Sequence, residues 1–202
     1  KRYWLEGYKI EMRVVGGFLK GKKIFYLKTE NTRPLRDFVK ESIFNVIYHS
    51  NLINVSLENA NVLDLYSGVG SFGIESISRG AKEITFVENE KEALNTLKRN
   101  IEYLKIENKS TIVPNKIIRF LDRLNTKKIF QIFFFDPPFA ENYFINELKI
   151  IKNSNIYSKD HLVVIHRDKS SKDNFSEILN VLLTKTYGRS KIIFGNFNLS
   201  TL

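Results

Sequence analysis

The chain has 202 residues, of which 43% are hydrophobic, and its formal net charge is +10. This length and composition suffice for one domain with a full core, or for one domain with a small appendage. No apolar run approaches the roughly 20 residues that a bilayer span requires, and the first residues lack the apolar segment of a secretory signal peptide. The absence of cysteine excludes disulfides, thiolate metal sites and catalytic thiols. We therefore expect a cytoplasmic protein with no membrane segment and no bound metal.

Residues 12–50 are predicted to form an N-terminal extension, a basic hairpin followed by a helix, ahead of a main domain at residues 51–202. Glycines interrupt two short extended runs near the start, which predicts the hairpin. Apolar residues then fall on one helical face: Val39, Ile43, Val46 and Ile47. The only methionine is Met12, so residues 1–11 are interpreted as a leader or expression remnant that is disordered.

The positive charge is concentrated in this extension. Between Met12 and Arg36 there are seven basic residues against the single acid Glu30. Lysine and arginine side chains that displace counterions supply most of the non-specific affinity for nucleic acids. The candidates for such contacts are Arg13, Lys20, Lys22, Lys23, Arg33 and Arg36. A solvated basic surface without a ligand is the alternative interpretation of the same charge.

From Asn61 onward, strand patterns and helix patterns alternate. Four buried-type strands are predicted in succession, each followed by a turn or a helix, which indicates a parallel sheet with helices on both faces. A fifth strand is predicted at residues 161–166 and a helix at residues 175–183. The last segment is predicted to form two strands joined around Gly188, so the sheet closes with an antiparallel hairpin.

A glycine-rich turn follows the first predicted strand of the main domain. Gly68, Gly70 and Gly73 form a G-x-G-x-x-G pattern between that strand and a helix. The pattern suits a dinucleotide cofactor whose pyrophosphate lies at the helix N-terminus. It also suits a tight turn that binds nothing, so the pattern alone leaves the ligand open.

Asp64, inside the strand before this turn, favours S-adenosylmethionine as the cofactor. A carboxylate there would repel a pyrophosphate, but it suits a cofactor that carries an ammonium and a sulfonium group. Glu88 ends the second strand, where a carboxylate can accept hydrogen bonds from both ribose hydroxyls. Glu88 fits either kind of cofactor, so the choice depends on Asp64.

The fourth predicted strand ends in the sequence Asp136-Pro137-Pro138-Phe139. The double proline stops the hydrogen-bond ladder and fixes the backbone, so the Asp136 carboxylate and the Pro137 carbonyl become two rigid acceptors. Phe139 adds a flat apolar face. Two fixed acceptors beside an aromatic ring fit a planar base with an amino group, whose lone pair they orient toward an electrophilic methyl group.

These motifs resemble those of the bacterial RsmD family, which methylates the exocyclic N2 amine of a guanine in small-subunit (16S) ribosomal RNA. The similarity runs from Met12 to about Phe197, through MRVVGG, TRPLRDFVKESIFN, VLDLYSGVGSFGIESISRGA, VEN and FFFDPPF. The resemblance implies a Rossmann-like class I methyltransferase fold, α/β, with a mostly parallel seven-stranded sheet.

The same resemblance implies where the site residues lie. It places the flipped base at Asp136, Pro137, Pro138 and Phe139. It places the cofactor at Asp64, Tyr66, Ser67, Gly68, Gly70, Glu88, Asn89, Asn115 and Asp136. The arm from Arg13 to Arg36 is implied to touch 16S ribosomal RNA within a small-subunit particle, with Arg33 and Asp37 near the mouth of the site. We expect the protein to act as a monomer.

A few positions depart from the family pattern or carry no assigned role. Asn115 stands where the family usually has an aspartate that holds the adenine amine, and its amide oxygen can still accept that bond. His166 stands where the fifth strand often ends in glutamate, and we interpret it as a strand-end histidine without direct contact with the site. His49 and His161 are interpreted as surface residues. Asn100 matches a recurrent asparagine of the family, whose role the sequence does not indicate.

Three other functions stay open at this point. A DNA adenine or cytosine amino-methyltransferase would need a sequence-reading region, and the chain has no separate segment long enough for one. A non-catalytic ribosome-assembly factor would be expected to have lost Asp64, Gly68 or the residues of the proline motif, and all are present. Protein glutamine methylation usually goes with asparagine in place of Asp136.

Overall fold

The computed structural model describes residues 9–26, 35–122, 128–138 and 142–198, without the side chains of residues 9–11. Two predicted site residues, Arg33 and Phe139, lie outside the described residues. The helices are α1 Asp37–His49, α2 Ser71–Ser78, α3 Lys91–Leu104, α4 Ile117–Asp122 and α5 Phe144–Asn153. The strands are β1 Lys9–Arg13, β2 Lys23–Tyr26, β3 Asn61–Leu65, β4 Glu83–Glu88, β5 Ser110–Pro114, β6 Phe130–Phe135, β7 Tyr157–Asp168, β8 Leu179–Tyr187 and β9 Ser190–Phe197.

Strands β3 to β9 form one seven-stranded sheet in the order β5-β4-β3-β6-β7-β9-β8. Five of these strands are parallel to one another: β5, β4, β3, β6 and β7. Strand β9 is antiparallel to both β7 and β8, so the sheet closes with the predicted hairpin. The predicted Rossmann-like fold is therefore confirmed.

Strand β6 shows why this sheet is buried on both faces. Ile132 and Phe134 pack into one cluster with residues of α1, α2 and α3, whereas Phe133 and Phe135 pack into a second cluster with residues of α4 and α5. Successive side chains of a strand point to opposite faces. An unbroken apolar strand of this kind is stable only when helices cover both sides.

The topology also fixes where a ligand can bind. The chain runs outward from β3 to β4 and β5, then returns to β6 on the other side of β3. In open parallel sheets, ligands bind outside the carboxyl ends of the strands at such a change of direction. The ends of β3, β4 and β6 therefore form the edge on which the site is expected.

The N-terminal hairpin of β1 and β2 packs onto the main domain rather than standing apart from it. Glu75 of α2 accepts hydrogen bonds from the N–H groups of Val15 at 2.8 Å and Gly16 at 2.7 Å. Asn100 of α3 accepts the Phe25 N–H at 2.7 Å and donates to the Phe25 carbonyl at 3.1 Å. Apolar residues of the hairpin belong to the same cluster as α1, α2 and α3, so the extension and the main domain share one core.

Residues 9–11 correct one prediction, since they form part of β1 rather than a disordered leader. Their backbone is held by the antiparallel ladder with β2, in which Lys9 pairs with Tyr26. The other part of that prediction, residues 1–8, lies outside the described residues.

The helix predicted over residues 175–183 is wrong. Residues 176–178 form a turn, and β8 begins at Leu179. The apolar spacing suited a helix, but β8 pairs with β9 from Leu179 to Tyr187, and these non-local backbone hydrogen bonds outweigh local periodicity. Helix α5, which the sequence analysis did not predict, covers β6 and β7 on the second face.

His161 is buried, at 4% exposure, and not a surface residue as predicted. Its Nδ1 lies 2.7 Å from the Ser158 carbonyl, and its Nε2 accepts the Phe197 N–H at 2.9 Å. Burial lowers the pKa of His161, since the charged imidazolium is poorly solvated there. The ring therefore serves as a neutral link between the start of β7 and the end of β9. His49 is exposed, as predicted.

Candidate active site

The glycine turn connects β3 to α2 at the carboxyl edge of the sheet. Gly68 and Gly70 have positive φ angles of 53° and 87°, in a region that glycine enters without steric cost. The Ser67 N–H donates to the Val87 carbonyl at 3.1 Å, and the Ser67 carbonyl accepts the Gly70 N–H at 2.8 Å. These bonds hold the turn and the first residues of α2 beside the ends of β3 and β4.

Asp64 lies beneath this turn and is 1% exposed. Its Oδ2 accepts the Gly73 N–H at 3.0 Å, whereas its Oδ1 has no hydrogen-bond partner among the described residues. Burial raises the pKa of Asp64 well above its usual value, against the opposing effect of the Gly73 hydrogen bond, and the charges of Asp136 and Glu88 raise it further. A buried carboxylate with a free oxygen and two acids nearby is a site suited to positive charge.

Glu88 lies at the end of β4 and fastens the glycine turn. Its Oε2 accepts the Gly68 N–H at 2.8 Å, and its Oε1 accepts the N–H groups of Asn89 and Glu90, each at 2.8 Å. A carboxylate offers about four acceptor sites, so the half-buried Glu88 can still accept from a ligand hydroxyl at Oε2. Asn115, half-buried after β5, lies at the same edge, whereas the Asn89 side chain is exposed.

Two more predicted cofactor residues lie in the turn itself. Tyr66 has a φ angle of 60°, and its hydroxyl donates to Glu147 of α5 at 2.6 Å. The Ser67 hydroxyl is buried and has no hydrogen-bond partner within the described ranges. Buried polar groups are normally paired, so the free atoms of Ser67 and Asp64 fit a bound molecule that supplies partners. The ammonium and hydroxyl groups of S-adenosylmethionine match this set of acceptors and donors.

Asp136 lies at the end of β6, directly beside the end of β3. Its N–H lies 3.4 Å from the Leu65 carbonyl, and Asp64 pairs with Phe134 in the ladder between the two strands. The carbonyl of Pro138 accepts a hydrogen bond from Arg167 of β7 at 3.1 Å. The proline motif is therefore held on both sides, and its acid lies on the same edge as the predicted cofactor site.

His166 contacts Asp136, and the prediction that it has no direct contact is wrong. Its Nδ1 lies 2.9 Å from Asp136 Oδ1, and its Nε2 lies 2.9 Å from Ser190 Oγ. The ring is 5% exposed. Because β7 is the neighbour of β6, a hydrogen-bonding residue at the end of β7 reaches the end of β6.

The predicted RNA-binding residues within the described ranges are all exposed: Arg13, Lys20, Lys22, Lys23 and Arg36. Arg13 pairs with Lys23 across the hairpin, and its Nε donates to Asp37 of α1 at 3.0 Å. The hairpin charges therefore lie next to the start of α1.

Neither a membrane-spanning helix nor a metal cluster is found in the described parts of the chain. No helix there is both long enough and apolar enough to cross a bilayer. No group of three or more histidine or acidic residues there could hold a metal ion.

Comparisons with known proteins agree with this geometry. A model of the family described as Conserved hypothetical protein 95 matches residues 12–196. The chain is 31% identical to ribosomal RNA small subunit methyltransferase D of Haemophilus influenzae, over 89% of this chain and 91% of that protein. It is 25% identical to the protein of the same name from Escherichia coli, over 78% of this chain and 75% of that protein.

Solved structures show the same fold. A conserved hypothetical protein of Streptococcus pyogenes is 29% identical, with a TM-score of 0.68, and the match covers 78% of this chain and 95% of that one. A Thermus thermophilus protein, 22% identical with a TM-score of 0.71, matches over 91% of this chain and 98% of that one. One conclusion follows from the family match, the glycine turn and the acids at the carboxyl edge of the sheet. The chain is an S-adenosylmethionine-dependent methyltransferase and belongs to the family described as Conserved hypothetical protein 95, the RsmD family.

Proposed function

We propose that this chain transfers a methyl group to the exocyclic N2 amine of a guanine in small-subunit ribosomal RNA. The names of its relatives support the class of substrate. The observation that carries the proposal is the Asp136 carboxylate, whose side chain is 24% exposed at the sheet edge and held by His166. It lies where an amino group presented beside the cofactor can donate to it.

The chain's own residues act by positioning. When bound, S-adenosylmethionine supplies an electrophilic methyl group on its sulfonium. Asp136 accepts hydrogen bonds from the base, so that the N–H bonds of the amine point to the protein and its lone pair is free to attack. Asp64 and the glycine turn hold the cationic end of the cofactor. Catalysis of this kind needs orientation and electrostatic stabilisation, without a covalent enzyme intermediate.

The acid favours guanine over adenine. Guanine presents N1–H beside its N2 amine, two donors on one edge, and a carboxylate accepts both in a charge-assisted pair. Adenine presents N1 as a bare acceptor, whose lone pair an ionised Asp136 would repel. His166 occupies one acceptor position of Oδ1, whereas Oδ2 has no partner among the described residues. The carboxylate therefore retains enough acceptor capacity for both donors of guanine.

Features of the chain also favour RNA. An unpaired base in an RNA loop costs little to extrude and is read by stacking and by hydrogen bonds to its edge. Phe139, predicted as the stacking platform, directly follows the described part of the proline motif. The exposed hairpin charges suit contacts with phosphates near the flipped base.

The test is transfer of a labelled methyl group from S-adenosylmethionine to unmodified small subunits, free 16S RNA, duplex DNA or protein. We expect label in 16S RNA. Asp136→Ala should abolish transfer with cofactor binding near normal by calorimetry, and Asp136→Asn should retain partial activity at most, because it loses the charge and one acceptor. Label confined to DNA or protein would overturn the proposal.

A further inference from the structure

His166 bridges the proposed catalytic acid and a serine on the neighbouring strand β9. Its two ring nitrogens lie 2.9 Å from Asp136 Oδ1 and 2.9 Å from Ser190 Oγ. The ring comes from β7, the acid from the end of β6 and the serine from β9. Side chains from three adjacent strands therefore form one hydrogen-bonded series that ends at Asp136 Oδ1.

Hydrogen-bond chemistry fixes how protons are arranged along this chain of groups. An ionised carboxylate only accepts hydrogen bonds, so Nδ1 of His166 must carry the proton that points to Asp136. In a neutral imidazole, Nε2 then lacks a proton and accepts from the Ser190 hydroxyl. Nearly complete burial leaves water little access to Nε2, so the Ser190 hydroxyl, which can accept or donate a hydrogen bond, is the group that holds this side of the ring.

We infer that His166 is a positioning residue for methyl transfer that donates from Nδ1 to Asp136, and that Ser190 holds the ring in this orientation. This role rests on the proposed function, in which Asp136 receives the base. By fixing Oδ1, the histidine orients the carboxylate plane and leaves Oδ2 directed to the donors of the base. An acid free to rotate would spend less time in that orientation and transfer would slow.

Two amide substitutions separate this role from simple packing. In His166→Asn, the side-chain NH₂ can take the place of Nδ1 and still donate to Asp136, although it no longer reaches Ser190. In His166→Gln, the amide reaches toward the place of Nε2 and Ser190, and the donor to Asp136 is lost. Glutamine is closer to histidine in size, so a packing role predicts that glutamine is tolerated better, whereas positioning predicts the reverse.

The kinetic test compares these variants on the same RNA substrate. We expect His166→Gln to lower kcat about 10- to 150-fold, the equivalent of one hydrogen bond to a charged group, with cofactor affinity and Tm close to those of the original protein. His166→Asn should recover most of this loss. Ser190→Ala should lower kcat in the original protein but not in the His166→Asn background, where the serine has no partner. Equal losses for both amides would overturn the positioning role.

A second readout needs no activity. Nitrogen-15 NMR of the histidine rings in the full chain reports which nitrogen carries the proton. We expect His166 to carry a proton on Nδ1, and Asp136→Ala to weaken this preference. An Nε2–H tautomer in the original protein would overturn the inference. The spectrum is independent of the RNA target, so a wrong substrate assignment and a wrong assignment of His166 give different results.

A partly exposed aromatic pair, Phe38 and Tyr187, lies on the same side of the site and carries a second inference. Phe38, in the first turn of α1, is 65% exposed, and its ring meets Tyr187 edge to face at 5.6 Å. Tyr187 lies at the β8–β9 turn, opposite Ser190 in the ladder. Arg36 and Arg189 each lie two positions from one of these rings in the sequence. The Arg189 side chain is 78% exposed, with its guanidinium 3.4 Å from Asp168.

We propose that this aromatic pair and Arg189 bind the RNA nucleotides that flank the target base. The link from Ser190 through His166 to Asp136 places the pair beside the proposed base site. The exposed ring of Phe38 and the half-buried ring of Tyr187 suit unpaired bases, which stack on aromatic faces while their phosphates attract nearby guanidinium groups. The inference rests on the proposed RNA substrate. It makes the β8–β9 hairpin a second RNA-binding surface, in addition to the basic N-terminal hairpin.

Equilibrium binding to a 16S RNA fragment at several salt concentrations tests this surface. We expect Phe38→Ala and Tyr187→Ala each to weaken binding about 5- to 150-fold, as for loss of one stacked base, without changing the salt slope. Arg189→Ala should reduce the salt slope by about one. The control is Tyr48→Ala, 46% exposed at the other end of α1. If the original protein methylates 16S RNA and all variants bind it like the control, the surface assignment is wrong and the proposed function stands.

Discussion

Replacing Asp64 with asparagine should stabilise the unliganded protein and weaken cofactor binding. Asp64 is buried with one oxygen unpaired, and its pKa is raised well above the usual value. The folded state therefore binds this proton more tightly than the unfolded chain does. The free energy of unfolding therefore falls as the pH rises from about 4, the usual pKa of aspartate, through the raised pKa of Asp64 in the folded state. In Asp64→Asn, the amide oxygen can keep the bond from Gly73, and the variant carries no charge to desolvate.

The same substitution removes the partner expected for the cationic end of S-adenosylmethionine. A hydrogen bond to a charged group is worth about 1.5–3 kcal/mol, so affinity should fall about 10- to 150-fold. Thermal unfolding between pH 5 and pH 9 and calorimetric titration with S-adenosylmethionine measure the two effects. Glu88→Gln is the matched control for stability. The Glu88 carboxylate accepts three backbone N–H groups, so loss of its charge should lower Tm, whereas Asp64→Asn should raise it. An Asp64→Asn protein with lower Tm at pH 8 and unchanged affinity would refute this reasoning.

The other predictions concern the hairpin and its attachment. Asn100→Ala should lower the free energy of unfolding by about 1–3 kcal/mol for each backbone group left unpaired, which denaturant titration measures. It should also weaken cofactor binding, measured by calorimetry, because Asn100 donates to a glycine-turn carbonyl at 3.0 Å. Glu75→Gln should lower the free energy of unfolding by about 3–5 kcal/mol in denaturant titration, since it leaves the buried ammonium of Lys40 only the more distant carboxylate of Asp37, at 3.9 Å. Reversing Lys20, Lys22 and Lys23 to glutamate should reduce the salt slope of RNA binding by about two, at roughly 0.7 per lost contact, with cofactor affinity unchanged. An unaltered slope would leave these lysines as ordinary surface residues.

The sequence predicted those parts of the molecule in which local pattern and tertiary structure agree. Alternating strands and helices predict the parallel sheet, because each crossover must return over a face of the sheet. The glycine turn was equally predictable, since positive φ angles at Gly68 and Gly70 require the residue that the sequence supplies there. Asp64 favoured a cationic cofactor, and its free buried oxygen supports that choice.

The parts that escaped prediction depend on contacts between distant residues. The segment that contains Leu179 has helical spacing, yet its hydrogen bonds go to β9. His166 gave no indication of its role on its own, because its partners Asp136 and Ser190 lie 30 and 24 positions away. Asn100 is similar, since it links β2 to the glycine turn across the fold. Local periodicity carries no information about such pairings.

Identification of the methylated nucleoside tests the central claim most directly. Unmodified small subunits would be incubated with the protein and S-adenosylmethionine, and their RNA digested and analysed by mass spectrometry. An Asp136→Ala protein serves as the negative control. The account predicts N2-methylguanosine in 16S RNA that is absent from the control. N6-methyladenosine, or a base methylated on its ring, would contradict the guanine model built on Asp136.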